Sequence, residues 1–367
     1  MCWHICHSHT CHSPLAYSPL AHSHTRHSPL AYLPLAHSHT RTMFEIIFLG
    51  TSASTPSVHR GLSAHMVLHR QYRFLIDVGE GTQRQILQSG LGFKRLDKVL
   101  LTHGHLDHIL GLGGLVSTLS RWETLERLEI YGGQSALDRV GDLVFRVALR
   151  GARPPVGIDL VPLRPRMTVV EDSKFTLTAF PVSHRGAECF GFLFTEKARR
   201  PFLAEKAEAL GIPPGPERGR LVQGQAITLA DGTVVRPDDV LGEVIAGTRY
   251  VHVGDAGETD NLLDVCQDAD TLVIESTYID ADAEMAHQFG HLTAGQAARL
   301  ARDANVKTLI LTHLSRRYYE RQIKQEARAI FPNTYVARDF DRFQVTREGT
   351  VRLSRGQGGA WNGEAEE

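Results

Sequence analysis

Residues 99–108 read VLLTHGHLDH, in which a three-residue apolar run leads straight into three histidines and an aspartate. An unbroken Val-Leu-Leu run suits a strand buried on both faces, as in the parallel part of an α/β sheet. The polar groups begin where the strand ends, on the kind of loop that a rigid scaffold holds in place. His103 and His105 flank one residue, and Asp107 and His108 follow. A tight loop with this spacing wraps around two neighbouring cations. Imidazole and carboxylate suit Zn²⁺, although Mn²⁺ or Fe accepts the same donors.

Four donors do not complete two catalytic metal sites, so the fold has to bring others. The same strand-end context recurs at His184 after TLTAFPVS, at Asp255 after VHVG and at His313 after TLILT. Together these make seven candidate ligands, with Asp255 the natural bridge because it has two oxygens. Two close cations activate water and clamp the oxygens of a phosphoryl group, so hydrolysis is the expected reaction class. Asp77, at the end of YRFLID, reads either as a residue ordering the first loop through hydrogen bonds or as a turn aspartate.

In 367 residues, 42% apolar and 22% charged residues suit a soluble globular chain with a sizeable core. Forty basic against 41 acidic residues neither announce a nucleic-acid partner nor exclude a local patch. No apolar window approaches the roughly 18 residues of a membrane span. Five cysteines form no disulfide framework in a chain this long, which points to a reducing, cytoplasmic setting.

Residues 12–26 and 27–41 are a tandem repeat differing only at Ser18 and Leu33, and nine of the 20 histidines precede Met43. Proline every five residues and the absence of apolar periodicity predict disordered chain over 1–42. A mis-called start explains this segment better than a weak metal-binding tail.

From 43 to 350 the pattern predicts a folded body of alternating strands and helices. FEIIFLG, AHMVLH, YRFLIDVG, LERLEIYGG, GIDLVPL, MTVVEDSKFTLTAFPVSH, CFGFLFTE, RYVHVGDAG, TLVIEST, VKTLILTHLS and TYVARDFDRFQV read as strands. Helices are expected at GEGTQRQILQS, 135–149, 294–304 and 320–330. Two such halves with ligands at strand ends predict an α/β four-layer sandwich, sheet on sheet with helices outside. Residues 197–224, rich in Pro and Gly, read as a protruding arm without core structure. Residues 351–367 read as a flexible tail.

THGHLDH matches the HxHxDH signature of the metallo-β-lactamase superfamily. FLGTSASTPS, LIDVGEGTQRQ, LTHGHLDHILGLGGL, GIPPGP, ESTY, HLTAGQAA and THLSRRY narrow it further. The chain resembles the tRNase Z family, the tRNA 3′-processing endonucleases, in the short form, across nearly everything from 43 to about 345. The resemblance implies the αββα metallo-β-lactamase-like sandwich and two zinc ions per chain. His103, His105 and His184 would hold one and Asp107, His108 and His313 the other, with Asp255 shared. It also implies Asp107 as proton acceptor and a Glu275/His291 pair delivering a proton to the leaving oxygen. The arm, with Gly215 and Pro216 at its GIPPGP motif, would grip precursor tRNA, often across a homodimer. Its six basic residues, Lys197, Arg199, Arg200, Lys206, Arg218 and Arg220, outnumber its three glutamates.

Three places depart from the family pattern: HRGAECFGF after His184, Ala256 where threonine is usual, and RWETLERL at 121–128. Arg317 reads equally as a ligand of the scissile phosphate or as a surface ion-pair residue. Competing with a tRNA endonuclease are a superfamily phosphodiesterase acting on small phosphodiesters and a non-catalytic RNA- or metal-binding protein.

Overall fold

The computed structural model describes residues 44–122, 125–186 and 188–353. The expectation for 1–42 therefore lies outside the described residues. Strands β1 (Phe44–Gly50), β2 (Ala64–His69) and β3 (Tyr72–Ile76) form an antiparallel meander. β4 (Lys98–Leu100), β5 (Arg127–Gly132) and β6 (Gly157–Pro162) then add in parallel beside β3. The chain crosses to a second sheet with β7 (Thr168–Glu171), β8 (Phe175–Val182) and β9 (Cys189–Glu196), joined as antiparallel hairpins.

After an excursion carrying β10 (Ile227–Thr228) and β11 (Val234–Val235), β12 (Arg249–His252) pairs with β9. β13 (Thr271–Glu275), β14 (Leu309–Thr312) and β15 (Thr334–Val336) extend that sheet in parallel. β16 (Arg342–Thr346) and β17 (Gly349–Leu353) return to the first sheet beside β1. The result is an eight-stranded and a seven-stranded sheet.

Side-chain alternation explains why the centres of these runs are apolar on both faces. On β1, Phe44, Ile46 and Phe48 point between the sheets and join Phe175, Phe192, Phe194 and Phe343 in an aromatic-rich middle layer. Ile47 and Leu49 point outward, under the helices Thr82–Gln88 and Leu112–Trp122. A strand covered on both faces has no polar side to alternate with. β14 repeats this, with Ile310 inward and Leu309 and Leu311 under the opposite helical layer. In that layer the helix Glu320–Ile330 buries Ile323 and Ala327, four residues apart, and leaves most of its other residues in water. The helix Ala294–Asp303 starts with a capping box, the Thr293 hydroxyl accepting the Gln296 N–H at 3.1 Å. The α/β four-layer sandwich expected from sequence is the observed fold.

Four expectations need correction. MTVVEDSKFTLTAFPVSH is a hairpin, because Asp172 accepts the N–H groups of Lys174 and Phe175 and turns the chain between β7 and β8. TYVARDFDRFQV divides between the two sheets, with Phe340 at φ 68° and the Asp341 carboxylate accepting the Arg338 N–H in the connection. Helix 135–149 is an α-helix over Gln134–Gly141 that passes into a π-helical segment, Asp142–Ala148. The tail expected from 351 begins inside β17; 354–367 lie outside the described residues.

The arm is longer and better built than its composition suggests. Its neck is closed by bridges Arg199 to Ile245 and Phe202 to Leu241. Ala207, Ile212, Leu221, Ile227, Val235 and Val240 form a small core separate from the three of the body. Pro216 opens the helix Pro216–Val222, where a missing N–H costs nothing. Residues 225–244, which the sequence reading left out, complete this core.

Candidate metal centre

Every candidate ligand sits just beyond a strand end. His103 and His105 follow β4, and Asp107 and His108 occupy a single helical turn, Leu106–Ile109. His184 follows β8, Asp255 follows β12 and His313 follows β14, while Glu275 is the last residue of β13. Asp77 beyond β3 and His313 beyond β14 both take left-handed backbone, φ 58° and 55°, bending their loops back over the strand ends. Gly254 lets the loops of the two sheets touch: a Cβ there would lie 2.6 Å from Thr102 Cβ.

The structure brings all seven expected residues together. The Nε2 atoms of His108 and His313 are 3.4 Å apart, and Nε2 of His184 is 3.4 Å from Nδ1 of His105. Asp255 Oδ2 lies 3.4 Å from His108 and His313, 3.7 Å from His103 and 3.9 Å from His184. Asp107 Oδ2 is 3.5 Å from His313 and 3.7 Å from His108.

Hydrogen bonds behind the rings fix their tautomers. His184 Nδ1 is 2.7 Å from the Gly290 carbonyl, which only accepts, so Nδ1 carries the proton. His108 Nδ1 is 2.8 Å from the Asp77 carboxylate and donates likewise. The Thr102 hydroxyl donates to Asp77 at 2.8 Å and so accepts from His103 Nδ1 at 3.0 Å. The Thr277 hydroxyl donates to Glu275 at 2.5 Å and accepts from His313 Nδ1 at 3.0 Å. Four Nε2 lone pairs therefore face one another, and His103 Nε2 is buried with no hydrogen-bond partner. Lone pairs at this spacing cannot bond to each other. They fit shared cations, since a tetrahedron with ligands at about 2.0–2.1 Å has edges of roughly 3.3 Å.

Electrostatics follow from the same contacts. Burial opposes charge on His108, but Asp255 and Asp77 beside it raise its pKa well above the ordinary value, so a cation held there would take the place of the Nε2 proton. Burial, reinforced by His108, holds His103 well below. Burial also works against ionised Asp107 and Asp255, yet His313 and His108 outweigh it and keep both below the usual carboxylate range.

Glu275 and His291 lie beside this cluster, with His291 Nδ1 2.9 Å from Glu275 Oε1. Burial disfavours an imidazolium there, and Glu275 lifts its pKa to about 9. Glu275 is fully buried and also accepts the N–H groups of Ala256 at 2.8 Å and Leu292 at 3.2 Å. Thus Ala256 serves through its backbone. A cleft of about 320 Å³ leads in, lined by Ser54, Arg185, Tyr278, Phe289, His291 and Arg316. Arg316, rather than the Arg317 singled out in the sequence, lines it. Gly215 and Pro216 are exposed on the arm, among residues outside this cluster.

Sequence reasoning left several orienting residues unassigned: Thr102, Thr277, Gly290 and Ser54, whose backbone N–H donates to Asp107 Oδ2 at 2.8 Å. Thr102 and Thr277 carried a signal, each standing one or two residues from a candidate at a strand end. Ser54 and Gly290 act through their backbones and carry none.

A family model described as a β-lactamase superfamily domain matches residues 72–240 and 220–314. A ribonuclease Z of Bradyrhizobium diazoefficiens is 46% identical over 304 residues, covering 83% of this chain and 100% of its own. A ribonuclease Z of Archaeoglobus fulgidus is 37% identical over 314 residues, covering 83% and 98%. The crystal structure of human tRNase Z, short form, aligns with a TM-score of 0.57 at 26% identity, covering 82% of this chain and 99% of that one. A metallo-β-lactamase fold protein of Bacillus subtilis aligns at TM-score 0.58 and 18% identity, covering 82% and 98%, a likeness of fold alone. With relatives this similar across their whole length, the chain belongs to the ribonuclease Z family of the β-lactamase superfamily.

Proposed function

We propose that the protein is a zinc-dependent endoribonuclease that removes the 3′ trailer of precursor tRNA after the discriminator base. It leaves a 3′-hydroxyl on the tRNA and a 5′-phosphate on the trailer. The observation that carries this reading is the set of four histidine Nε2 atoms aimed at one another around Asp255, with His291 held at the rim. Membership of the ribonuclease Z family supports the substrate.

His103, His105 and His184 would hold one zinc and Asp107, His108 and His313 a second, with Asp255 between them. Bound there, the cations supply Lewis acidity to water and to the phosphoryl oxygens. Asp107, oriented by the Ser54 N–H, accepts the proton of the attacking water. His291 gives its Nε2 proton to the departing ribose 3′-oxygen. Glu275 already accepts from four groups, so it acts through His291 as a positioning residue rather than as a donor itself. Arg316 at the cleft wall suits a phosphate.

The arm, through Gly215, Pro216 and its basic residues, would hold the tRNA body, reaching across a homodimer as the family resemblance suggests. A cytoplasmic location fits the buried free thiols of Cys189 and Cys266, and among the described residues no helix is long and apolar enough to cross a membrane. Incubation with a 3′-extended precursor tRNA, with both new ends mapped, tests the reading. A 3′-hydroxyl after the discriminator and a 5′-phosphate on the trailer are expected. An intact precursor, or a 2′,3′-cyclic phosphate end, rejects it.

A further inference from the structure

Residues 289–291 carry three different groups to the mouth of the cleft. The helix Ala283–Phe289 ends at Gly290, whose φ of 65° favours glycine; a Cβ there would also lie 2.8 Å from Arg185 Cγ. The Gly290 carbonyl orients His184, and the next residue is His291. The preceding residue, Phe289, stays out of the core with 41% of its surface exposed and lines the cleft beside His105 and His291.

A single exposed phenylalanine is unremarkable in itself. This one has a guanidinium laid on it: Arg185 Cζ is 5.3 Å from the ring centroid. Arg185 directly follows His184, and its Nη2 donates to the Gln288 carbonyl at 2.8 Å, which fixes it over the ring. Arg316 adds a second positive group to the same cleft. A flat aromatic and a flat cation, fixed together at the entrance of a phosphodiester site, have the chemistry that holds unpaired nucleobases.

We propose that Arg185 and Phe289 form a stacking platform for one unpaired base, that of the nucleotide on the 5′ side of the cut. The assignment rests on the reading of the chain as an RNA endonuclease. Its direction follows from His291: the 3′-oxygen that receives the His291 proton belongs to the 5′ nucleotide, and two residues of chain span at most about 7 Å. Stacking uses a face that every base has, so the platform accepts any base at that position. It therefore sets the register of the cut without reading sequence.

The test uses the full chain and precursor tRNAs that are intact, abasic at the nucleotide 5′ of the cut, or abasic at the nucleotide 3′ of it. Wild type, Phe289→Ala, Phe289→Leu and Phe289→Trp are compared. Removing the 5′ base should raise the wild-type KM about five-fold or more. Phe289→Ala and Phe289→Leu should show a raised KM on the intact precursor and no further rise when the base is missing. Phe289→Trp should restore both the KM and its dependence on the base. Equal sensitivity in wild type and Phe289→Leu, or sensitivity that follows the 3′ base, overturns the platform while cleavage of the intact precursor keeps the endonuclease reading. Failure of wild type to cut the intact precursor overturns both.

Discussion

Oδ2 of Asp77 lies 2.8 Å from Nδ1 of His108, and the same carboxylate takes the N–H and the hydroxyl of Thr102, each at 2.8 Å. Asp77 is only 1% exposed. One carboxylate therefore fixes two ring tautomers, that of His108 directly and that of His103 through Thr102. The loop with the densest candidate ligands is held from β3, a strand that contributes no candidate itself.

Asp77→Asn is the sharpest probe of this arrangement. An amide NH₂ facing His108 would move the ring proton to Nε2 and fill the lone pair that a cation needs. Metal affinity should fall about 10- to 100-fold with the fold intact. Chelator competition for zinc, beside circular dichroism, measures it; wild-type affinity in the variant would remove Asp77 from the centre.

His291→Ala should lower kcat about 10²- to 10⁴-fold on a normal precursor, with KM changing little. A precursor with sulfur in place of the leaving 3′-oxygen needs no proton on departure, so the variant should cut it at close to the wild-type rate. If the sulfur substrate is cut as poorly as the oxygen one, His291 is not the proton donor. Glu275→Gln should show the same rescue, because it acts through the same ring.

The arm can be removed as a unit only at its neck. Cutting 200–222 alone would strip Ala207, Ile212 and Leu221 from the small core and expose Ile227, Val235 and Val240. Replacing 200–244 by a short Gly-Ser linker leaves the three cores of the body whole. That variant should keep its unfolding temperature and its hydrolysis of a small chromogenic phosphodiester, and should lose cleavage of precursor tRNA. Unchanged tRNA cleavage would take the arm out of substrate binding.

The residues of the candidate metal cluster could be picked out because they follow apolar strands, and a strand end is a local feature of sequence. The run before His103 and the one before His313 each announce their histidine. The partition of strands between sheets was not legible. Between Val336 and Arg342 the turn is made by Phe340 and by the Asp341 carboxylate, with no Gly or Pro to mark it. The arm's core was hidden for a similar reason, since strands of two residues carry no period. Thr277 shows what lies between: ESTY was visible as a motif, but its role of accepting from His313 while donating to Glu275 exists only once β13 and β14 are paired.

Acid should weaken the fold through a histidine outside the candidate ligand set. His252, 1% exposed, has its pKa lowered to about 3 by burial and secondarily by His108, and its Nδ1 is 2.9 Å from the Tyr250 hydroxyl. The unfolded chain takes up this proton near pH 6.5, whereas the folded one resists until about pH 3. Its contribution is therefore fully present above pH 6.5 and is lost as pH falls toward 3. Between pH 6.5 and 5 the loss is roughly 2 kcal/mol. His252→Gln keeps an acceptor for Tyr250 and has nothing to titrate. Urea unfolding with chelator at pH 7 and pH 5 should show the variant losing about 2 kcal/mol less than wild type over that interval. An equal loss in both would assign the acid sensitivity to other groups, beginning with His65, which burial also holds well below its ordinary pKa.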